Sequence, residues 1–185
     1  MVQTASAMLP LGSEAPDFSL PDVTTDKRMS LQDFADKSGL LIMVICNHCP
    51  FVVHVREELA RIGRDYQGKD LAVVAVSAND AVHYPDDAPD KLAAMAKSQG
   101  FVFPFLYDEA QTLVKDLQAA CTPDFFLFDR SRRLVYRGRL DAARPGNDVP
   151  VTGEDLRDAL DALLDGRPQA ETQLPSIGCN IKWKS

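Results

Sequence analysis

The sequence lacks the features that mark several large classes of protein. No Lys or Arg precedes Lys27, so the opening "MVQTASAMLPLG" has no charged start of a secretory signal. The longest uninterrupted apolar run, Leu40 to Cys46, is far too short to span a bilayer. Cationic residues are in deficit, with 20 Lys and Arg against 27 Asp and Glu. The resulting net charge of −7 argues against nucleic acid or an anionic membrane as the main partner. Four cysteines in 185 residues are too few for a disulfide framework. There is no internal repeat, low-complexity tract or interdomain linker. These absences predict a cytoplasmic protein, where a close cysteine pair suits catalysis or metal binding better than cross-linking.

What is present suits a globular chain, 45% apolar and 25% charged, long enough for one full hydrophobic core. We expect one domain over residues 1–185, with residues 167–185 as a C-terminal tail docked by Ile177, Ile181 and Trp183. "LLIMVI" (40–45) and "LAVVAV" (71–76) are continuous apolar runs, as in parallel strands buried on both faces. Between them Val52, Val55, Leu59, Ile62 and Tyr66 recur at helical spacing. Strand, helix, strand makes a right-handed βαβ unit. The prolines and glycine of residues 10–39 suit a short hairpin and loops. "SANDAVHYPDDAP" (77–89) reads as a solvated acidic loop, its Asp86–Asp87 pair facing water. A helix over about 90–98, a short strand in "FVFPFLYD" and a helix at Leu113, Val114 and Leu117 follow. "DFFLFD" and "RLVYRGR" form an antiparallel hairpin across "RSR". Thr152 and Asp155 suggest a capping box ahead of a last helix, and the final residues look irregular. The class is α/β, a mixed central sheet flanked by helices, with an N-terminal hairpin and a C-terminal extension.

The chemistry concentrates in "VICNHCPFV" (44–52), which sets Cys46 and Cys49 three apart where the first long strand meets the helix. Helix N-termini leave backbone N–H groups unpartnered and carry the positive end of the macrodipole, so they favour a thiolate. Lowering a thiol pKa from about 8.5 to about 6.5 raises the thiolate fraction at pH 7 from roughly 3% to roughly 75%. His48 adds a charge or a hydrogen-bond donor beside the pair. Pro50 fits the first turn because no intrahelical bond is lost there. Two buried cysteines filling a core gap, or a metal site, are the competing readings. One CxxC offers two ligands where structural zinc takes four, and no second CxxC exists, although Cys121, Cys179, His48 or His54 stand as further donors. No metal and no cofactor are expected, and no nucleotide-binding fingerprint occurs.

Taken in order, these segments resemble the thioredoxin superfamily, and within it the peroxiredoxin-like redoxins. "GSEAPDFSLPD" (12–22) is similar to the N-terminal segment of the alkyl hydroperoxide reductase and thiol-specific antioxidant group. "CNHC" stands at the family's active-site turn, and "TPDFFLFD" (122–129) resembles its threonine and cis-proline loop. "SIGCNIKW" (176–183) is similar to the C-terminal signature of an uncharacterised peroxiredoxin-like subfamily. The resemblance implies a thioredoxin-like fold with Pro123 cis and its loop, including Thr122, facing Cys46 and Cys49. It implies a thiol–disulfide oxidoreductase in which Cys46, nearest the helix start and exposed, attacks, and Cys49 resolves. A separate thiol reductant, such as thioredoxin or glutathione, would recycle the dithiol. The substrate would be a protein or small-molecule disulfide, or a hydroperoxide.

The sequence also departs from the family pattern. Cys46 stands where peroxidases carry a threonine, and Ile42 where they carry a proline. Cys49-Pro50 matches the peroxidatic position, so a peroxidase with Cys49 peroxidatic and Cys46 resolving is the alternative. A metal-handling or non-catalytic binding module is an alternative of another class. Cys121 and Cys179 are candidate additional redox thiols or packing residues. Arg137 and Arg139 are candidates to stabilise the thiolate, or simply a solvated hairpin face. His54 and His83 read as surface residues.

Overall fold

The computed structural model describes residues 3–25 and 27–184; Ser185, the end of the expected tail, lies outside them. In chain order the strands are β1 (Gln3–Ala5), β2 (Ser19–Pro21), β3 (Arg28–Ser30), β4 (Gly39–Val44), β5 (Leu71–Ser77), β6 (Phe105–Tyr107), β7 (Cys121–Thr122), β8 (Asp124–Phe128), β9 (Leu134–Gly138) and β10 (Ile177–Asn180). The helices are α1 (Pro50–Tyr66), α2 (Pro89–Gln99), α3 (Thr112–Asp116) and α4 (Glu154–Leu164).

The central sheet runs β6-β5-β4-β8-β9. β4 pairs parallel with β5 and antiparallel with β8, so the sheet is mixed and the fold is α/β as expected. Every residue of β4 is buried, because side chains of a central strand alternate between two covered faces. Leu41 and Met43 pack with Val52, Val55 and Leu59 of α1 and with Leu156 and Leu160 of α4. Leu40, Ile42 and Val44 face the other way, against Phe18, Leu113 and Val114. The hairpin expected near the N-terminus is the β2–β3 pair. No described helix is long and apolar enough to cross a membrane.

Two local expectations are corrected. Residues 177–180 are not irregular but form β10, the middle strand of a second sheet ordered β1-β10-β7. The start of α4 has no capping box: its N-cap is Gly153 in the left-handed region, with φ of 71°. Asp141 takes over the capping task, its Oδ2 accepting the Thr152 and Gly153 N–H groups at 2.8 and 2.7 Å. Asp155, freed from that role, pairs with Arg139 at 2.5 Å.

The second sheet brings chain segments together at one glycine. An added Cβ at Gly178 would stand 1.9 Å from the Thr122 carbonyl oxygen, a backbone atom that cannot swing aside. Glycine in a strand marks such close backbone approaches. Gly178→Ala is therefore expected to cost more than about 3 kcal/mol, at the upper end for overpacking. Urea unfolding measures this, and a loss below about 0.5 kcal/mol, the surface range, would contradict it.

Candidate active site

β4 and β5 are parallel neighbours, so the loops that follow them meet at the same sheet edge. Ligand sites in such sheets gather outside the carboxyl ends of the strands. The chain leaves β4 at Val44 and turns through residues 45–49. It enters α1 with Cys49 as N-cap and Pro50 as first helical residue. Proline fits there because the N–H it lacks would have no intrahelical acceptor. Cys49, not Cys46, is thus the cysteine nearest the helix start. Cys46 is not the exposed member either, since Cys46 is 1% and Cys49 0% exposed.

The loop before β8 supplies the opposite wall. The Thr122–Pro123 peptide is cis, as the resemblance implies. Cys46 Sγ lies 3.4 Å from Thr122 Oγ1, and Cys49 Sγ lies 3.2 Å from the Thr122 carbonyl oxygen. One residue therefore touches both sulfurs. Cys179 is the register partner of Thr122 in the β10–β7 pair, and its side chain hydrogen-bonds Cys49. Cys121 is buried and turned the other way, its Sγ 3.8 Å from the Pro123 carbonyl. Burial pushes its thiol pKa well up, whereas Cys46 and Cys49 are shifted in opposite directions.

That split follows from the hydrogen bonding. The bond from the Cys46 thiol is the largest influence lowering the Cys49 pKa, to about 4, and the Cys179 thiol lowers it further. The Val52 N–H in the first turn of α1 adds to this without closing a full cap hydrogen bond. Cys46 is raised well above the usual thiol range by the same bond to Cys49, by burial and by the Asp87 carboxylate. Cys179 is pushed up to about 12, chiefly by burial. The charge belongs on Cys49, and the proton on Cys46.

Asp87 overturns the expectation of a solvated Asp86–Asp87 loop. It ends a 3-10 turn between β5 and α2 and is 0% exposed. Its Oδ1 accepts the Asn47 and His48 N–H groups at 2.8 and 3.2 Å. Its Oδ2 meets His48 Nδ1 at 2.5 Å and accepts from Asn79 Nδ2 at 2.7 Å. Buried carboxylates need such partners, and this one fastens the CNHC turn to the neighbouring loop. The acidic spacing alone concealed it; the signal available was the meeting of the two loops at the edge of the parallel pair. The His48 ring stacks on Tyr84, with centroids 5.8 Å apart and planes 9° from parallel.

Other candidates lie away from this cluster. Arg137 is held by the Leu9 carbonyl and Gln173, and Arg139 by Asp155, so both guanidinium groups are committed elsewhere. His54 is exposed on α1, and His83 pairs with Asp80 at 2.5 Å. Cys46, His48 and Asp87 bring potential metal-ligand atoms within 4.8 Å of one another. The 2.5 Å approach of His48 Nδ1 to Asp87 Oδ2 is hydrogen-bond geometry, which directs those two atoms at each other. A groove of about 190 Å³ beside the site is lined by Phe51, Val55, Pro123, Phe125, Leu140 and Ile177, among others.

A cysteine pair between the end of a central parallel strand and a helix, facing a cis-proline loop, defines a protein of thioredoxin-like fold. Within that class the chain belongs to the Redoxin family, which it matches over residues 10–156. It is similar to an uncharacterized conserved protein from Geobacillus kaustophilus, with 52% identity, a TM-score of 0.97, and 100% of this chain and 97% of that one covered. A hypothetical protein, SMc02350, from Sinorhizobium meliloti 1021 is 50% identical with a TM-score of 0.96, covering 98% of this chain and 99% of that one. A putative thiol:disulfide interchange protein DsbE from Chlorobium tepidum shares the fold at 20% identity and a TM-score of 0.65, with 84% of this chain and 99% of that one covered. No curated protein matches the sequence. Family and structural neighbours together support a thiol oxidoreductase or peroxidase in the broad sense.

Proposed function

We propose that the protein is a cytoplasmic thiol–disulfide oxidoreductase whose redox group is the Cys46/Cys49 dithiol. The observation that carries this reading is the contact of both sulfurs with Thr122 on the cis-proline loop, at the start of α1. The hydrogen bond from the Cys46 thiol to the Cys49 sulfur favours their closure into a disulfide. Cys49, as thiolate, attacks one sulfur of the substrate disulfide and releases the other half as a thiolate. Cys46 then attacks Cys49, freeing the second half and leaving a Cys46–Cys49 disulfide. This order reverses the one the sequence suggested.

Cys179 supports the Cys49 thiolate as a third thiol, and Thr122 and Pro123 shape the wall where the substrate lies. Cys121, facing the Pro123 carbonyl, is a packing residue. A separate thiol reductant, such as thioredoxin or glutathione, returns the pair to its reduced state. The thiolate on Cys49, followed by Pro50, also favours a second reading, peroxide reduction with Cys49 peroxidatic and Cys46 resolving. The commitment of Arg137 and Arg139 elsewhere weighs against it, because neither is left to stabilise the thiolate.

The test uses the reduced wild-type protein without air, mixed with one equivalent of a protein disulfide or of hydrogen peroxide. The expected result is loss of two thiols to the protein disulfide, with peptide mapping placing the new bond at Cys46–Cys49. Thiols that stay intact would overturn the dithiol reading. Faster oxidation by hydrogen peroxide than by the disulfide would hand the assignment to the peroxidase.

A further inference from the structure

The dithiol reading leaves one proton without a destination. Cys46 holds its proton firmly, yet it must lose that proton before it can attack the Cys49 mixed disulfide. Asp87 and His48 stand beside it. One carboxylate oxygen, one ring nitrogen and Cys46 Sγ all lie within 4.8 Å of one another. The carboxylate is fully buried and orients the ring through Nδ1, while two backbone N–H groups hold the turn on its other oxygen. Holding the turn alone would be served by a neutral amide oxygen, without the cost of burying a charge. A buried carboxylate that orients an imidazole next to a thiol has the parts of a general base.

We propose that Asp87 and His48 are the proton-accepting pair of the resolving step, a reading that rests on the dithiol mechanism above. As the Cys46–Cys49 bond forms, the bond from Cys49 to the substrate sulfur breaks. The Cys46 proton passes through one bridging water to the His48–Asp87 pair, which then returns it to the departing substrate thiolate. The first departing thiolate takes its proton from water. In total the dithiol loses two electrons and the substrate disulfide leaves as two thiols. His48 is the proton carrier and Asp87 the positioning residue that aims its ring.

The surroundings bear on the pH behaviour. Cys46 faces Cys49 and His48 from its own turn, Asp87 from the loop before α2, and Thr122 from β7. His48 packs on Tyr84, whose ring in turn lies under the Lys182 ammonium at 5.5 Å. Cys49 also contacts Cys179.

Rapid-quench kinetics with a small aromatic disulfide separates capture on Cys49 from resolution by Cys46. In Asp87→Asn and in His48→Asn, resolution at pH 7 is expected to slow about 10²-fold relative to wild type, the usual worth of a general base. With only bulk base left, the variants' resolution rate should climb about tenfold per pH unit and approach the wild-type rate in alkali. Structural damage alone would lower the rate by the same factor at every pH, and that outcome overturns the proposal. Wild-type resolution in either folded variant overturns it too. Circular dichroism identifies a variant that fails to fold, and the other then decides. Cys46→Ser serves as the control: if it captures no substrate on Cys49, the dithiol reading falls, whereas capture there with wild-type resolution in the variants sinks only the pair.

Discussion

Cys49→Ser protein is expected to lose its rate with disulfide substrates by on the order of 10³-fold or more, the scale of removing a nucleophile. Cys46→Ser protein should instead complete one capture and stall, with substrate bound covalently at Cys49. The difference comes from where the charge resides. The Cys49 thiolate is stabilised by the Cys46 and Cys179 thiols, and its pKa lies near 4. It is therefore ionised throughout the neutral range, and alkylation of Cys49 by iodoacetamide should stay nearly constant from about pH 5 to 8. A free thiol would lose reactivity roughly tenfold per unit below its pKa of about 8.5. Intact-mass measurement and peptide mapping locate the adduct. An adduct on Cys46 rather than Cys49 in the wild-type protein would show that Cys46 attacks first, and the assigned order would be wrong.

Asp124→Asn is expected to stabilise the fold at neutral and alkaline pH. Asp124 directly follows Pro123 and is almost wholly buried, with Oδ1 accepting from Ser6 Oγ at 2.7 Å. Its Oδ2 has no donor among the described residues. Burial, the dominant cause, raises its pKa from 3.8 to about 7. Below about pH 4 the carboxyl is protonated in both folded and unfolded chains, so it adds no pH dependence. Between about 4 and 7 the unfolded chain ionises while the native state keeps its proton, and stability falls as pH rises. Above that range both states are ionised and the deficit is constant. The raised pKa sets this deficit at up to about 4 kcal/mol. An asparagine carries no such charge, so the two proteins should have similar stability at pH 4. By pH 8 they should diverge in favour of the variant. Urea unfolding across that range tests it, and parallel curves for the two proteins would refute it.

The parts of the fold that were legible in the sequence are those held by local pattern. The apolar runs of β4 and β5 and the α1 stripe read directly, since burial on two faces or one leaves a periodic mark. Cys46 and Cys49 were legible because strand and helix pinned the turn between them. Asp87 was not, because its partners Asn47 and His48 lie about forty positions away and no spacing connects them. β10 escaped for a similar reason: four residues between β1 and β7 owe their conformation to those neighbours. The spacing alone does not say which cysteine stands nearer the helix, whereas Pro50 as first helical residue gives the N-cap to Cys49.

The second sheet has a consequence for how the protein acquires its reactivity. Gln3 pairs with Cys179, and Cys179 with Thr122, so this sheet joins segments from opposite ends of the described chain. Closing so long a loop is entropically unfavourable, and contacts of such sequence separation form late. The βαβ unit carrying Cys46 and Cys49 is local and can form early. A newly collapsing chain is therefore expected to bring Cys46 and Cys49 side by side before the second sheet closes. In that order of assembly, oxidation of the pair would be least selective before β10 docks between β1 and β7.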